Sequence, residues 1–398
     1  MELRTARGRL FFFLFLILFL PLLNSYLKFS KTSRLSNTPL APRPIFSLHD
    51  WLNGSFQAGR NDYTNDNIAF RPDFIRFNNQ FDYSLFGIVH APNVVSAPGT
   101  YLYYDEFVDE CTGSNYQGDN FFKDLAIKLK AVQDTLESSG KTFVWLIEPS
   151  KASYYYDHLP DGKRCSLDAK TNLNAMKHLF DSTGVHYIDF NYWYVLLRDK
   201  MIHPPFTKQG IHWSIYGAQY ASDSIIRYIE RVRNISMPHR VVTGVEMSKH
   251  PRKMDDDVER LLNLIFPLDT SDFWYPVFHY ESDSTKTKPR TIYMGDSFTW
   301  PLLDNGIMQT NTDPQFWFYF REVYDTNYEK GPVTYDMPGY DWKAVVDKAD
   351  CIIISYTPPQ LKRSIGSGFV EALYDYYYPP KNIELLKIKQ NLIVSFIF

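Results

Sequence analysis

A short apolar segment that ends in a small polar turn constrains the fold of this 398-residue chain most. Residues 291–294 have the length and composition of a buried strand, and Gly295-Asp296-Ser297-Phe298 follows directly, before a predicted helix start at residue 300. A serine at the carboxyl end of a buried strand is held at the rim of an α/β sheet, as the nucleophiles of acyl-transfer enzymes often are. Gly-Asp-Ser is also ordinary turn chemistry, so a nucleophile requires a base elsewhere.

A candidate base precedes this turn in the chain. His212 and Trp213 lie where a glycine-containing loop gives way to a predicted helix that runs to about Val232. A histidine at such a junction can lean over a pocket, and its unperturbed pKa of about 6.5 suits general-base catalysis. A surface or core histidine is the alternative. The serine turn downstream favours a catalytic pair of His212 and Ser297.

The rest of the chain alternates between predicted helices and strands. Predicted helices cover residues 120–138, 171–180, 254–266 and 343–350, another begins at 366, and predicted strands cover 142–147, 185–190 and 351–356. This alternation predicts an α/β fold with a parallel sheet covered by helices on both faces. The acidic run at residues 255–257 is interpreted as a solvated helix start rather than a metal site.

The amino terminus predicts export or anchoring. Arg4, Arg7 and Arg9 precede an apolar run at residues 10–20, which almost reaches the length of a membrane span if it is extended to residue 27. No small-x-small cleavage site follows, so a retained anchor is favoured over a removed signal peptide.

Composition excludes some partners and suggests one cross-link. The net charge of −3 gives no electrostatic footprint for nucleic acid. Cys111 and Cys165 lie in polar segments and could form a disulfide outside the cytoplasm, whereas Cys351 lies in an apolar run and is expected to be buried. The spacing of ligand-type residues predicts no metal site.

Several segments in consistent order resemble the AlgX/AlgJ group of alginate O-acetyltransferases, which have an SGNH-hydrolase-like domain. The matching stretches are residues 144–152, 154–160, 187–190, His212-Trp213 and the turn at 295–298, preceded by residues 101–104. The resemblance covers roughly residues 50–375. In that family the histidine motif precedes the serine motif, the reverse of ordinary SGNH esterases, and this chain has the same order.

The resemblance implies a flavodoxin-like three-layer fold with permuted motif order, in which Ser297 is the nucleophile and His212 its base. It also implies an O-acetyltransferase that needs no cofactor and modifies an extracytoplasmic polysaccharide. A membrane-bound O-acyltransferase of the MBOAT type would supply the acetyl group. The expected location is the periplasm, with the amino-terminal segment anchored in the inner membrane as in AlgJ-type members.

The chain departs from the family pattern at one position. The family usually has an aspartate two residues before the histidine, where this chain has Gly210. Three explanations are open: a main-chain carbonyl near Gly210 holds the Nδ1 proton, a carboxylate from elsewhere replaces the aspartate, with Asp189 the first candidate, or the site is catalytically weak.

Other residues are expected around the pair. N–H groups of the turn at Gly295, Asp296 and Phe298 are expected to face an oxyanion. Trp213 is a candidate for lining the cleft. Three residues at or after strand ends are candidates too, although a surface charge or a packed aromatic is the favoured interpretation for them: Lys151, Tyr356 and Arg321.

The expected organisation is an anchor or signal segment (1–27), a linker (28–50), a cap segment (51–104), the acetyltransferase domain (105–378) and a carboxyl-terminal tail (379–398). Two alternatives to an acetyltransferase are an SGNH-type carbohydrate esterase that uses the same residues and a non-catalytic glycan-binding assembly protein.

Overall fold

A computed structural model describes residues 2–29, 33–166, 168–268 and 271–379 of the chain. The predicted tail therefore lies outside the described residues from residue 380 onward. The α-helices are α1 (Glu2–Leu27), α2 (Leu48–Asn53), α3 (Ser55–Asp66), α4 (Arg71–Phe86), α5 (Asp105–Thr112), α6 (Lys123–Ser138), α7 (Lys151–Tyr154), α8 (Asn172–Thr183), α9 (Phe190–Leu197), α10 (Ile215–Arg233), α11 (Asp257–Leu261), α12 (Trp300–Asp304), α13 (Trp342–Lys348), α14 (Leu361–Gly366) and α15 (Phe369–Tyr377).

The β-strands are β1 (Val94–Ala97), β2 (Tyr101–Tyr104), β3 (Thr142–Ile147), β4 (Tyr187–Asp189), β5 (Arg240–Ser248), β6 (Phe273–Tyr280), β7 (Arg290–Gly295), β8 (Thr312–Phe318), β9 (Glu322–Tyr324) and β10 (Cys351–Tyr356). Strands β5 and β6 pair antiparallel, with a register shift between Val242 and Gly244.

The central sheet has six strands in the order β4-β3-β10-β7-β8-β9. Five of them are parallel, and β9 runs antiparallel to β8 at one edge. The predicted α/β fold is confirmed, although the sheet is mixed rather than wholly parallel. The short connection from β8 to β9 explains the difference, because only an antiparallel neighbour can be reached in so few residues.

Strands β3, β10 and β7 are buried on both faces apart from Arg290 at the start of β7, as expected for a parallel sheet covered by helices. Every residue of β3 and β10 is buried, Cys351 included. One core cluster contains Phe143, Trp145 and Ile147 together with buried residues of α6, α8 and α15. Helix α10 packs against β3 as well. The functional side chains therefore emerge at the carboxyl ends of strands that are fixed by packing.

The described residues of Met1–Ser96 and Asp257–Asp269 form one compact unit, and those of Ala97–Asp256 and Thr270–Phe398 form another. The first unit contains α1 to α4, and the second contains the six-stranded sheet. Within α1, residues Ala6–Asn24 are long and apolar enough to cross a membrane by length and composition.

The helix predicted over residues 254–266 is much shorter in the structure, where α11 covers Asp257–Leu261. The acidic run does lead into a helix, since Asp257 is the first residue of α11, but Asp255 is buried rather than solvated. Its carboxylate accepts a hydrogen bond from the hydroxyl of Tyr275, and its carbonyl accepts one from Thr207. These two partners hold residues 253–256 in a turn, so the helix begins only after them.

Candidate active site

The serine turn lies at the carboxyl end of β7, beside the central strand β10. Ser297 begins a short 3-10 turn that leads into α12. Gly295 is required there, because a Cβ atom at this position would lie 2.4 Å from the carbonyl oxygen of Ser355 and 2.6 Å from Oγ1 of Thr299. Ser297 is half-buried, at the end of an otherwise fully buried segment.

His212 and Ser297 are in direct contact. The distance between His212 Nε2 and Ser297 Oγ is 2.8 Å, a hydrogen-bond distance, although the two residues are 85 positions apart in the chain. His212 is only 8% exposed, so the predicted overhanging histidine is in fact largely enclosed. A base at this distance can accept the hydroxyl proton as the oxygen attacks a carbonyl carbon.

Residues on both sides of His212 hold it against the turn. The indole N–H of Trp213 donates to the carbonyl of Phe298 at 2.7 Å, and the imidazole lies against the Phe298 ring with centroids 4.4 Å apart. Ser214 is the N-cap of α10 and accepts from the N–H of Gly217 at 3.0 Å. Trp213 is thus a buried support of the turn and does not line a cleft.

The turn uses most of its own N–H groups. Asp296 N–H donates to the carbonyl of Ser355, Phe298 N–H to Oδ1 of Asp296, and Thr299 N–H to the carbonyl of Asp296. Of the turn's donors in the described chain, that of Ser297 is left for an oxyanion. The expectation that Asp296 and Phe298 face an oxyanion is therefore corrected, because the side chain of Asp296 takes up the N–H of Phe298.

Main-chain oxygen atoms fill the place of the family aspartate at Gly210. A Cβ atom on Gly210 would lie 2.8 Å from the carbonyl oxygens of both Met254 and Asp255, and 2.9 Å from Oγ1 of Thr207. Thr207 also ties these segments together, because its hydroxyl donates to Asp255 and accepts from the N–H of Gly210 at 2.9 Å. A glycine at this position is thus a consequence of how the turn before α11 packs.

Asp189 does not orient His212. Its Oδ1 accepts the N–H of Tyr192 at 2.8 Å, as the N-cap of α9, and its Oδ2 pairs with Nζ of Lys177 at 2.5 Å. It ends β4, which is separated from β7 by β3 and β10. Three strand spacings amount to about 14 Å, too far for a hydrogen bond across the sheet. The first candidate for a substitute carboxylate was therefore wrong.

Lys151 holds the residues that precede His212. It is fully buried, and its Nζ donates to the carbonyls of Leu102, Lys208 and Gly210 at 2.8, 2.7 and 2.7 Å. The ring of Tyr103 lies 5.1 Å from the same nitrogen. Lys151 therefore neither lines a cleft nor is a surface charge: it is a buried cross-link between β2 and the residues that precede His212.

Tyr356 and Arg321 also differ from their expected roles. Tyr356 is buried, and its hydroxyl lies 3.5 Å from the sulfur of Met294, so it is a core residue at the end of β10. Arg321 is exposed in the connection between β8 and β9, where its N–H donates to the carbonyl of Phe318. Tyr356 is therefore a packed aromatic and Arg321 a surface charge.

Cys111 and Cys165 form a disulfide. The bond links α5 to the loop that precedes α8, and Ser153 Oγ lies 3.9 Å from the sulfur of Cys111. Cys351, by contrast, is a free buried thiol, and burial raises its pKa to about 11.

Sequence reasoning missed one buried group beneath the turn. Glu148 directly follows β3 and is completely buried, and its carboxyl accepts the hydroxyl of Ser355 at 2.6 Å. The signal in the sequence is an acidic residue immediately after five consecutive apolar residues, at the end of a strand that is expected to be buried.

Residues 103–266 match the family model described as the SGNH hydrolase-like domain of the acetyltransferase AlgX. This match includes His212 and ends before Ser297. It confirms the predicted resemblance and the SGNH hydrolase-like α/β fold. No curated protein matches the chain.

Three solved structures are similar to this chain. The O-acetyltransferase domain of Pseudomonas putida AlgJ is 16% identical, with a TM-score of 0.48, over 72% of this chain and 99% of that one. Pseudomonas aeruginosa AlgX is 14% identical, with a TM-score of 0.40, over 67% and 61%. Bacillus cereus PatB1 with a sulfonyl adduct is 11% identical, with a TM-score of 0.42, over 67% and 97%. Because these identities and scores are low, the assignment rests on the family match.

Proposed function

We propose that this protein is an O-acetyltransferase acting on an extracytoplasmic polysaccharide. The match of residues 103–266 to the SGNH hydrolase-like domain of the acetyltransferase AlgX supports this proposal. The observation that carries the proposal is the 2.8 Å contact between His212 Nε2 and Ser297 Oγ. A nucleophile at a strand end, with its base in reach and the turn fixed by buried hydrogen bonds, is the arrangement that acyl transfer through a serine ester requires.

The reaction has two balanced steps. Ser297 Oγ attacks the carbonyl carbon of the donor's acetyl group while His212 Nε2 takes the hydroxyl proton. The bond to the leaving oxygen then breaks, and the imidazolium returns the proton to that oxygen. In the second step a sugar hydroxyl gives its proton to His212 and attacks the carbonyl carbon of the acetyl-serine. The bond from that carbon to Ser297 Oγ then breaks, the imidazolium returns the proton to Oγ, and the acetylated sugar leaves. The N–H of Ser297 stabilises the oxyanion in both steps.

The donor would reach the site from the membrane. Helix α1 contains a segment that is able to span a bilayer, which fits a protein held beside it. Cytoplasmic acetyl-CoA does not occur across the membrane, so a membrane-bound O-acyltransferase of the MBOAT type would deliver the acetyl group. The acceptor is an alginate-like or other exopolysaccharide or cell-wall glycan, and the site lies in the periplasm.

A carbohydrate esterase is the second candidate. The third is a glycan-binding assembly protein, which is favoured by Gly210 at the position of the family aspartate. The esterase would use the same His212 and Ser297 contact and pass the acyl group to water. The binding protein would form no acyl-enzyme. The three candidates therefore predict different fates of an acetyl group at Ser297.

Acetylation of Ser297 tests the proposal directly. The protein is mixed with para-nitrophenyl acetate, quenched in acid, digested and analysed by mass spectrometry. We expect an acetyl group on Ser297, none in Ser297→Ala, and a rate of labelling reduced roughly 10²- to 10⁴-fold in His212→Ala. Wild-type protein without label would leave only the binding role.

The fate of the acetyl group separates the two enzymes. The labelled protein is incubated with and without a uronic-acid oligosaccharide, and acetylated sugar and acetate are measured. A transferase gives acetylated sugar and loses its label faster with the acceptor than without it. Equal rates of loss, with acetate as the product in both mixtures, would identify an esterase instead.

A further inference from the structure

Two carboxyl side chains are buried together beneath the serine turn. Glu148 follows β3 and Asp296 follows β7, and both are completely buried. Strand β10 lies between these two strands. It holds both residues at the same level, because Glu148 N–H donates to the carbonyl of Tyr356 at 3.0 Å and Asp296 N–H to that of Ser355 at 3.2 Å.

The two carboxyls have different hydrogen-bond partners. Asp296 accepts three donors: the N–H of Phe298 at 2.9 Å, and the N–H and hydroxyl of Thr357 at 2.9 and 2.8 Å. Glu148 Oε1 accepts the hydroxyls of Ser355 and Thr299 at 2.6 and 3.3 Å. Glu148 Oε2 is buried without a donor in the described chain. Such an oxygen is satisfied if it carries a proton and donates it.

The acceptor available to that proton is Asp296, because Thr299 joins the two residues: its hydroxyl donates to Oε1 of Glu148 and its N–H donates to the carbonyl of Asp296. Burial raises the pKa of Glu148 well above its usual value, and the charge of Asp296 raises it further. Other titratable groups that act on this pair are Glu106 of α5, Tyr319 after β8 and Tyr356 of β10, while Arg363 of α14 acts on Glu106 and Tyr319. Two buried carboxylates side by side would repel each other, so one proton between them is the stable state.

We propose that Glu148 is a positioning residue that stays protonated at neutral pH and donates its Oε2 proton to Asp296, which fixes the turn that carries Ser297. Asp296 then accepts four hydrogen bonds. Its link to the N–H of Phe298 sets the direction of the turn against His212. If Glu148 ionises, repulsion separates the two carboxylates and moves Ser297 away from its base. The effect on acylation rests on the proposed function, whereas the protonation does not.

Infrared spectroscopy tests the protonation without any enzyme activity. The difference spectrum between wild type and Glu148→Gln at pH 7 is expected to contain the C=O stretch of a protonated carboxylic acid. The same difference spectrum is then recorded in the Asp296→Asn background, where the contact between Glu148 and Asp296 is altered. We expect the carboxylic-acid band to change in this background. A difference spectrum that shows only ionised carboxylate would overturn the proposal.

Acylation of Ser297 tests the positioning role. The amide of Glu148→Gln can accept from Ser355 and donate to Asp296, so labelling is expected to stay within about threefold of wild type. Glu148→Ala leaves Asp296 without this donor, and labelling is expected to fall by about 10²-fold, the usual effect of a misplaced reacting group. Equal loss in both variants would contradict the proposal, because a neutral hydrogen-bond donor would then not suffice.

The pH dependence adds a matched control. Wild-type labelling is expected to decline at alkaline pH, where Glu148 ionises, and Glu148→Gln is expected to lack this decline. Glu110 serves as the control, because it is another buried carboxyl with a raised pKa, bonded to Asn172 and to the N–H of Leu173. Glu110→Gln should keep the wild-type decline. An identical alkaline profile for wild type and Glu148→Gln would count against the positioning role.

Discussion

Gly210 and His212 illustrate how a single small residue affects the catalytic group two positions along the chain. The usual family aspartate would place its Cβ atom against the carbonyls of Met254 and Asp255. These oxygens occupy the space into which that side chain would extend. The departure from the family pattern is therefore built into the packing of the neighbouring turn and is more than the loss of one carboxylate.

Restoring the aspartate is expected to damage the protein. Gly210→Asp would force the turn at 254–255 to move, and overpacking of this kind costs about 1–3 kcal/mol in the free energy of unfolding. Urea denaturation measures the loss, and Ser297 labelling measures the consequence for His212, which we expect to be slower. Gly244→Asp is the matched control, because nothing lies within 4 Å of its Cβ position. Faster labelling in Gly210→Asp would show that the missing carboxylate limits the enzyme.

At the scale of elements, the order of the strands decides which side chains meet. The sequence predicts β3 and β10 with their observed bounds, because each contains a run of at least four consecutive apolar residues. It also predicts that Ser297 and His212 form a pair. It does not reveal that β10, late in the chain, lies between β3 and β7. Asp189 and Glu148 both end apolar strands, and only this order separates the first from the site and brings the second beneath it.

A buried lysine shows the same dependence on non-local pairing. Lys151 is a candidate for the cleft because it follows a strand end, yet three carbonyls from two other segments surround its amine. The sequence gives no sign of these acceptors, since main-chain carbonyls carry no side-chain identity. Polar residues next to a strand end can therefore be supports as readily as site residues.

Lys151→Met is expected to lower both stability and activity. The buried carbonyls of Leu102 and Gly210 would lose this donor, whereas that of Lys208 keeps the N–H of Leu102, and a loss of about 3 kcal/mol in the free energy of unfolding follows from the usual cost of such groups. Ser297 labelling should slow more than the unfolded fraction explains, because Gly210 lies two residues from His212. Lys141→Met is the control: Lys141 donates to the carbonyls of Asp347 and Ala349 at 2.7 Å each, at the opposite end of the sheet. Loss of labelling in proportion to stability in both variants would limit Lys151 to a structural role.

For the whole molecule, the amino-terminal helix and the sheet domain are separate in their physical demands. No residue of the segment Ala6–Asn24 is buried, whereas the sheet has a hydrophobic core of its own. The alternation of helices and strands predicts the sheet domain, and the arginines before an apolar run predict the amino-terminal helix. Neither pattern specifies how the helices that follow α1 are arranged.

Removal of residues 1–27 is expected to release the protein from membranes without changing its chemistry. The full chain should stay with the membrane fraction after alkaline carbonate extraction, and the shortened chain should remain in the soluble fraction. Ser297 labelling by para-nitrophenyl acetate should be equal in both, because none of the groups that fix the turn lies in α1. Soluble full-length protein that lacks its first residues by intact mass would indicate a cleaved signal peptide instead.

The position of Thr357 has a consequence for biosynthesis. Asp296 receives two of its hydrogen bonds from Thr357, sixty-one residues further along the chain. In the export proposed above, a nascent polypeptide whose His212 and Ser297 have crossed the membrane still lacks the last central strand and this threonine. Asp296 would therefore lack two of its donors, and the turn that carries Ser297 would not be fixed until translocation is almost finished. A partly exported chain would then not be esterified prematurely.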